Sequence, residues 1–153
     1  MAVSFKDKVA IIQFPGVNCE YETADAVRSV GLEAELFRWN EDPDLLDESA
    51  AVILPGGFSY QDRIRAGVVA AKDHIMDKVS ELAAGGRPVL GICNGAQVLV
   101  ESGLIPGLHW ERVDLALAPN TMADREGYYC NWVHVRAENS VCIWTKAFGE
   151  GEV

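Results

Sequence analysis

Four strand-like runs separated by helix-like segments leave this chain few folds to choose from. The runs are "KVAIIQF" (8–14), "LEAELFRW" (32–39), "AAVILPGG" (50–57) and "PVLGIC" (88–93). The first, third and fourth are short, nearly continuous apolar stretches bounded by turn residues, the pattern of strands buried on both faces. The second alternates apolar and polar residues. Between them, 19–31 carries Ala24, Val27 and Val30 at helical spacing and stops at Gly31, a favoured helix terminator. Residues 40–49 are acidic and contain Pro43, which predicts a loop with a short helix. Residues 66–86 place Val68, Ala71, Ile75, Val79 and Leu82 on one face and predict one long helix closed by Gly85 and Gly86. A last helix is expected over 94–103. Strands alternating with helices imply an α/β fold, an open and mostly parallel flavodoxin-like sheet with helices on both faces.

After Pro106 the texture changes. "RVDLALAPN" (112–120), "YYCNWVHVRAEN" (128–139) and "VCIWTK" (141–146) look strand-like, with turn residues between them and no helical period. They predict antiparallel strands appended to the sheet edge in the C-terminal third.

The chain has 153 residues, the size of a single domain spanning 1–153. A formal net charge of -10 repels phosphate backbones, so nucleic acid is not an expected partner. No apolar run approaches the roughly 20 residues of a membrane span, so no membrane partner is expected. The start "MAVSFKDKVAIIQF" lacks a long apolar stretch ending in a small-residue cleavage site, so no signal peptide is expected. The cysteines are Cys19, Cys93, Cys130 and Cys142, with no C-x-x-C pair. That pattern suits neither a zinc site nor a dense disulfide framework, so no metal is expected and reduced thiols in a cytoplasmic protein are the simpler account.

Cys93 carries the chemistry. Gly91-Ile92-Cys93-Asn94-Gly95 has the form of a nucleophile elbow with cysteine in place of serine. Such an elbow sits in a strained strand-to-helix turn, where small residues two before and two after the nucleophile avoid clashes with neighbouring backbone. The side chain then projects above the carboxyl edge of the sheet, where open α/β folds bind ligands. The following helix aims free N–H groups toward the sulfur, which suits an anionic nucleophile. The Asn94 N–H can face a developing oxyanion. A second loop, "LPGGFSYQDRIRAG" (54–67), follows the third strand. Gly56 and Gly57 let its backbone approach a ligand closely, and the Gly57 N–H is a candidate second oxyanion donor. Asp62, Arg63 and Arg65 lie where this loop could meet substrate or a partner.

The stretches "VAIIQFPGVNCE", "ILPGGFSYQDRIRAG", "GICNGAQVLVESGLIPG" and "LALAPN…YYCNWVHVRAENS" together resemble the glutaminase component of phosphoribosylformylglycinamidine synthase, a family of class I, triad-type glutamine amidotransferases of purine biosynthesis. The resemblance implies that Cys93 attacks the side-chain amide of glutamine, releases ammonia and is freed by water from a glutamyl thioester. It implies oxyanion roles for Gly57 and Asn94, and glutamine contacts for Gly56 and Gln97. It also implies a synthetase subunit that receives the ammonia, and a small accessory subunit. No cofactor is expected on this chain; ATP and Mg would belong to the synthetase.

The resembled family closes its triad with a His-x-Glu motif downstream of the antiparallel region. Here the chain reads "TKAFGEGEV", with Phe148 where the histidine would stand, so Gly149-Glu150-Gly151 is read as a turn. His74, His109 and His134 are each read as a solvated or structural side chain. The expectation is a chain without its catalytic base, lacking a C-terminal part of the domain and inactive in isolation. Two other readings stay open. One is a cysteine-elbow protein of the stress-response and deglycase type, in which a glutamate near the first strand contacts the thiol. The other is a non-catalytic subunit that binds a partner.

Overall fold

The computed structural model describes residues 8–109, 112–124, 126–127, 129–137 and 142–147. The chain divides into two compact units, Met1–Leu117 and Ala118–Val153.

In the first unit, β1 (Lys8–Gln13), β2 (Glu33–Arg38), β3 (Ala51–Leu54) and β4 (Val89–Gly91) form one parallel sheet in the order β2-β1-β3-β4. β1 is central, pairing Ile11 with Leu36 on one side and with Ile53 on the other. Its residues Val9 to Ile12 are all buried, which is why this run reads as continuously apolar. Successive side chains turn to opposite faces. Val9 and Ile11 pack with Ala24 and Val27 of α1 (Glu20–Ser29). Ala10, Ile12 and Phe14 pack on the other face with Ile75, Met76, Val79 and Leu82 of α2 (Ile75–Ala84) and with Val98 and Leu99 of α3 (Asn94–Ser102). Burying Ile11 and Ile12 completely stabilises the layers by roughly 1.5–3 kcal/mol each.

The sheet order puts a topological switch point between β1 and β3, since the chain leaves β1 toward one edge and β3 toward the other. Ligands of open parallel sheets bind outside the carboxyl ends of the strands at such a point. The loops that meet there are 14–19, 55–64 and the corner at Cys93.

The predicted helix over 66–86 is not continuous. A short 3-10 turn (Ala70–Lys72) is followed by Asp73 in extended conformation, and α2 begins only at Ile75. Asp73 breaks the helix because its carboxylate has other work. It accepts the Ile75 N–H at 3.4 Å and the Tyr60 hydroxyl at 2.5 Å. The short helix expected in 40–49 is a 3-10 segment (Pro43–Glu48). Its N-cap is Asp42, whose side chain accepts the Asp44 N–H.

The expected antiparallel extension is not shown in the second unit, and residues 128, 138–139 and 141 of its expected strands lie outside the described residues. Among the described residues it contains no strand; a single antiparallel bridge joins Thr121 and Glu126. The alternating residues Val133 and Val135 are exposed, and Trp132 is 99% exposed. An alternating pattern makes a strand only where a partner strand and an apolar face are supplied. No described helix is long and apolar enough to cross a membrane.

Candidate active site

The end of β4 turns directly into α3. Ile92 N–H still donates to Leu54 O at 2.9 Å, continuing the β3–β4 pairing, and Asn94 is already helical. Cys93 spans the corner as the N-cap of α3, with φ 52° and ψ -110°. That is positive-φ backbone which a side chain rarely adopts, and it costs on the order of 1–3 kcal/mol. The Cys93 side chain is exposed.

The flanking glycines are explained by distance. A Cβ on Gly95 would lie 1.9 Å from Leu54 O, and a Cβ on Gly91 would lie 2.7 Å from both Ala96 N and Leu99 Cδ1. The helix therefore packs against the strand ends at a separation that no side chain fits. Of the free N–H groups in the first turn of α3, that of Gly95 is taken by Ile92 O at 2.9 Å. Asn94 N–H is at the first helical position beside the sulfur-bearing residue.

The loop after β3 folds over this corner. Pro55 and Gly56 are buried, and a Cβ on Gly56 would sit 3.5 Å from Cys93 Cβ. Gly57 forms an antiparallel bridge with Val17 of the loop after β1. The bonds of that contact are Phe58 N–H to Gly16 O at 3.0 Å and Cys19 N–H to Gly56 O at 3.3 Å, so they leave the Gly57 N–H unused. Gly57 has φ 144°, and a Cβ there would lie 2.7 Å from Asn18 N.

The structure brings Asn94, Asp62 and Gln97 together in a way the sequence did not reveal. Asn94 Nδ2 donates to Asp62 Oδ1 and to Gln97 Oε1, each at 2.9 Å, and Asn94 Oδ1 accepts the Ser59 N–H at 2.9 Å. Gln97 is half-buried one turn into α3, and its N–H donates to Cys93 O at 3.2 Å. Arg65 is bound to its own protein: its guanidinium forms a two-pronged pair with Glu101 of α3, both bonds 2.6 Å. Bonding to that buried carboxylate raises the Arg65 pKa. The Arg63 guanidinium donates to Gln61 Oε1 on the surface. The Tyr60 hydroxyl titrates well above its usual range, first because burial disfavours the phenolate and then because it donates to Asp73.

No hydrogen bond or ion pair among the described residues joins a histidine to Cys93. His74 pairs with Asp73 at 2.9 Å, and His109 with Asp114 at 3.1 Å. His134 lies in the exposed second unit. Phe148 and the 149–151 turn lie outside the described residues. Near the first strand, the buried carboxylate of Glu20 is bonded through Oε1 by Gln13 Nε2 at 2.7 Å rather than by a thiol. The described residues hold no group of three or more His, Cys, Asp or Glu arranged to hold a metal ion.

A strained, exposed cysteine stands between two glycines that admit no side chain, under a glycine loop at the switch point of a parallel sheet. Residues 6–152 match the CobB/CobQ-like glutamine amidotransferase domain, and the chain belongs to that family. More particularly, it is similar to phosphoribosylformylglycinamidine synthase subunit PurQ. It is 48% identical to that subunit from Methanothrix thermoacetophila, over 95% of this chain and 58% of the relative. With the Pyrococcus furiosus subunit the identity is 42%, over 95% of this chain and 59% of the relative. Among solved structures, PurLQS from Thermotoga maritima matches with a TM-score of 0.76 and 33% identity, covering 96% of this chain and 63% of that one. The chain thus spans about three-fifths of the length of the curated relatives it matches.

Proposed function

We propose that this chain carries the glutaminase half-reaction of an assembly that converts formylglycinamide ribonucleotide to its amidine. The Cys93 thiolate attacks the side-chain carbonyl carbon of glutamine. The C–N bond breaks, nitrogen leaves as ammonia after taking up a proton, and a glutamyl thioester remains. Water then cleaves the thioester, giving glutamate and regenerating the thiol. The Gly57 and Asn94 N–H groups would hold the oxyanion of each tetrahedral intermediate. Gly56 and Gln97 would contact the bound glutamine. Ammonia would pass to a synthetase subunit that uses ATP and Mg, with a small accessory subunit in the same cytoplasmic complex.

The observation that carries this reading is the Cys93 backbone. A structural cysteine gains nothing from positive φ between two glycines, whereas a nucleophile gains an open approach and adjacent N–H donors. The deglycase-type reading is not favoured, because among the described residues no glutamate is bonded to the Cys93 thiol, and the buried Glu20 after β1 accepts from Gln13. What the described residues do not supply is a base hydrogen-bonded to the thiol. Turnover of glutamine therefore requires a base from outside the described residues.

The decisive experiment is done in the complex reconstituted with the synthetase. Cys93→Ala should abolish amidine formation from glutamine while formation from added ammonium persists. Undiminished use of glutamine by Cys93→Ala would leave this chain the role of a non-catalytic binding subunit.

A further inference from the structure

The side chain of Asn94 does more than its place in the elbow requires. The residue after a nucleophile contributes a backbone N–H, and many side chains could follow it. Asn94 is nonetheless only 1% exposed, and its amide makes three hydrogen bonds. The Ser59 N–H can only donate, so it fixes which end of the Asn94 amide is oxygen. Two of the three bonds cross to the loop after β3, gripping it at Ser59 and at Asp62. The residues between those grips form a run of positive φ, with Tyr60 at φ 51°, Gln61 at φ 61° and Asp62 itself at φ 50°. Such backbone persists only where surrounding contacts over-determine it. The other contacts of the stretch run away from the elbow: the Tyr60 hydroxyl donates to Asp73, the Tyr60 ring lies against Phe14 and Trp39, and the Tyr60 N–H donates to Pro15 O at 2.6 Å.

We propose that Asn94 is a positioning residue that sets the spacing between Gly57 and Cys93. This rests on the reading of the Gly57 and Asn94 N–H groups as oxyanion donors. One residue then supplies the first donor from its backbone and locates the second through its side chain, at Ser59, two residues after Gly57. Without that clamp the loop keeps its backbone bonds to the turn after β1, at Gly16 and Pro15, but loses the side-chain bonds that register it against α3. An oxyanion donor displaced by about 1 Å forfeits most of its effect.

The test compares two electrophiles on the full chain, with labelling at Cys93 followed by mass spectrometry. Iodoacetamide needs only an accessible thiolate. 6-Diazo-5-oxonorleucine places a carbonyl where that of glutamine would lie and so also samples the oxyanion donors. In Asn94→Ala the diazoketone rate should fall about tenfold or more, while the iodoacetamide rate stays near that of the parent. Asn94→Asp should fall similarly, because its carboxylate faces that of Asp62. Adding Asp62→Asn to Asn94→Asp reverses the donor and acceptor and should recover most of the diazoketone rate. That exchange also decides the matter if Asn94→Ala does not fold. Equal changes for both reagents in every variant, or no recovery on exchange, would overturn the positioning role. A parent chain whose Cys93 is not labelled by the diazoketone would overturn the glutamine reading and this inference with it.

Discussion

Cys19 and Cys93 begin two helices at the same edge of one sheet. Both are exposed, both are N-caps, and both lie against Gly56, whose ideal Cβ would be 3.6 Å from Cys19 Sγ and 3.5 Å from Cys93 Cβ. By exposure, helix position or location alone, either could be the nucleophile. The backbone separates them. Cys19 has an ordinary φ of -113°, and its carbonyl simply accepts the Thr23 N–H and hydroxyl. Cys93 has φ 52°. Two residues either side of Cys19 stand Val17 and Tyr21, which carry full side chains; two either side of Cys93 stand glycines with no room for a Cβ. Helix N-termini are common, whereas strain held in place by unfillable neighbours is not, and the proposed nucleophile rests on the latter.

The comparison can be broken most sharply by chemistry. Cys93→Ala should eliminate labelling by a glutamine-like electrophile, and Cys19→Ala should leave labelling of Cys93 essentially unchanged, as read by peptide mass spectrometry. Loss in both variants would make the two thiols a functional pair.

Next in size is the effect of filling the flanks. Gly95→Ala drives a methyl onto Leu54 O and should destabilise the fold by about 3 kcal/mol or more. Tyr21→Ala, at an exposed position with the same spacing from Cys19, should change stability by no more than about 0.5 kcal/mol. Denaturant midpoints of the two variants read the contrast directly.

A subtler effect has opposite signs at the two sites. Cys93→Gly relieves positive φ and should stabilise by about 1 kcal/mol, since the strain removed exceeds the backbone entropy that glycine adds. Cys19→Gly relieves nothing and should destabilise by about 0.5–1 kcal/mol. Equal shifts in Tm would show that Cys93 is unstrained in solution.

The smallest effect concerns the tether that holds the loop on the Cys93 side. The Tyr60 pKa is raised in the fold above an unfolded value of about 10, so the neutral hydroxyl is the form that stabilises. Its contribution is complete below about pH 10 and is lost as pH rises above it. Between about pH 8 and pH 11 the parent should lose slightly more stability than Tyr60→Phe. An equal loss would mean that the Tyr60–Asp73 bond contributes nothing in solution.

The parallel sheet, the elbow and its glycines could be read from sequence because each is local: continuous apolar runs, a turn, and a spacing of two. What stayed hidden depends on partners far along the chain. Arg65 looked available for a ligand until Glu101, 36 residues on, claimed both its prongs. The helix over 66–86 looked continuous because its periodicity says nothing of Tyr60 bonding Asp73. Asn94 was expected to act through its N–H, and nothing local predicts that its side chain would grip Ser59 and Asp62. In the second unit the alternation around Trp132 was real, but a period of two does not supply the neighbouring strand.

The most direct measurement is alkylation of Cys19 and Cys93 by iodoacetamide, with and without saturating glutamine. The account predicts that glutamine slows modification of Cys93 and leaves Cys19 unaffected. Equal protection of both, or none of Cys93, would contradict the claim that the strained corner is where the substrate amide meets its nucleophile.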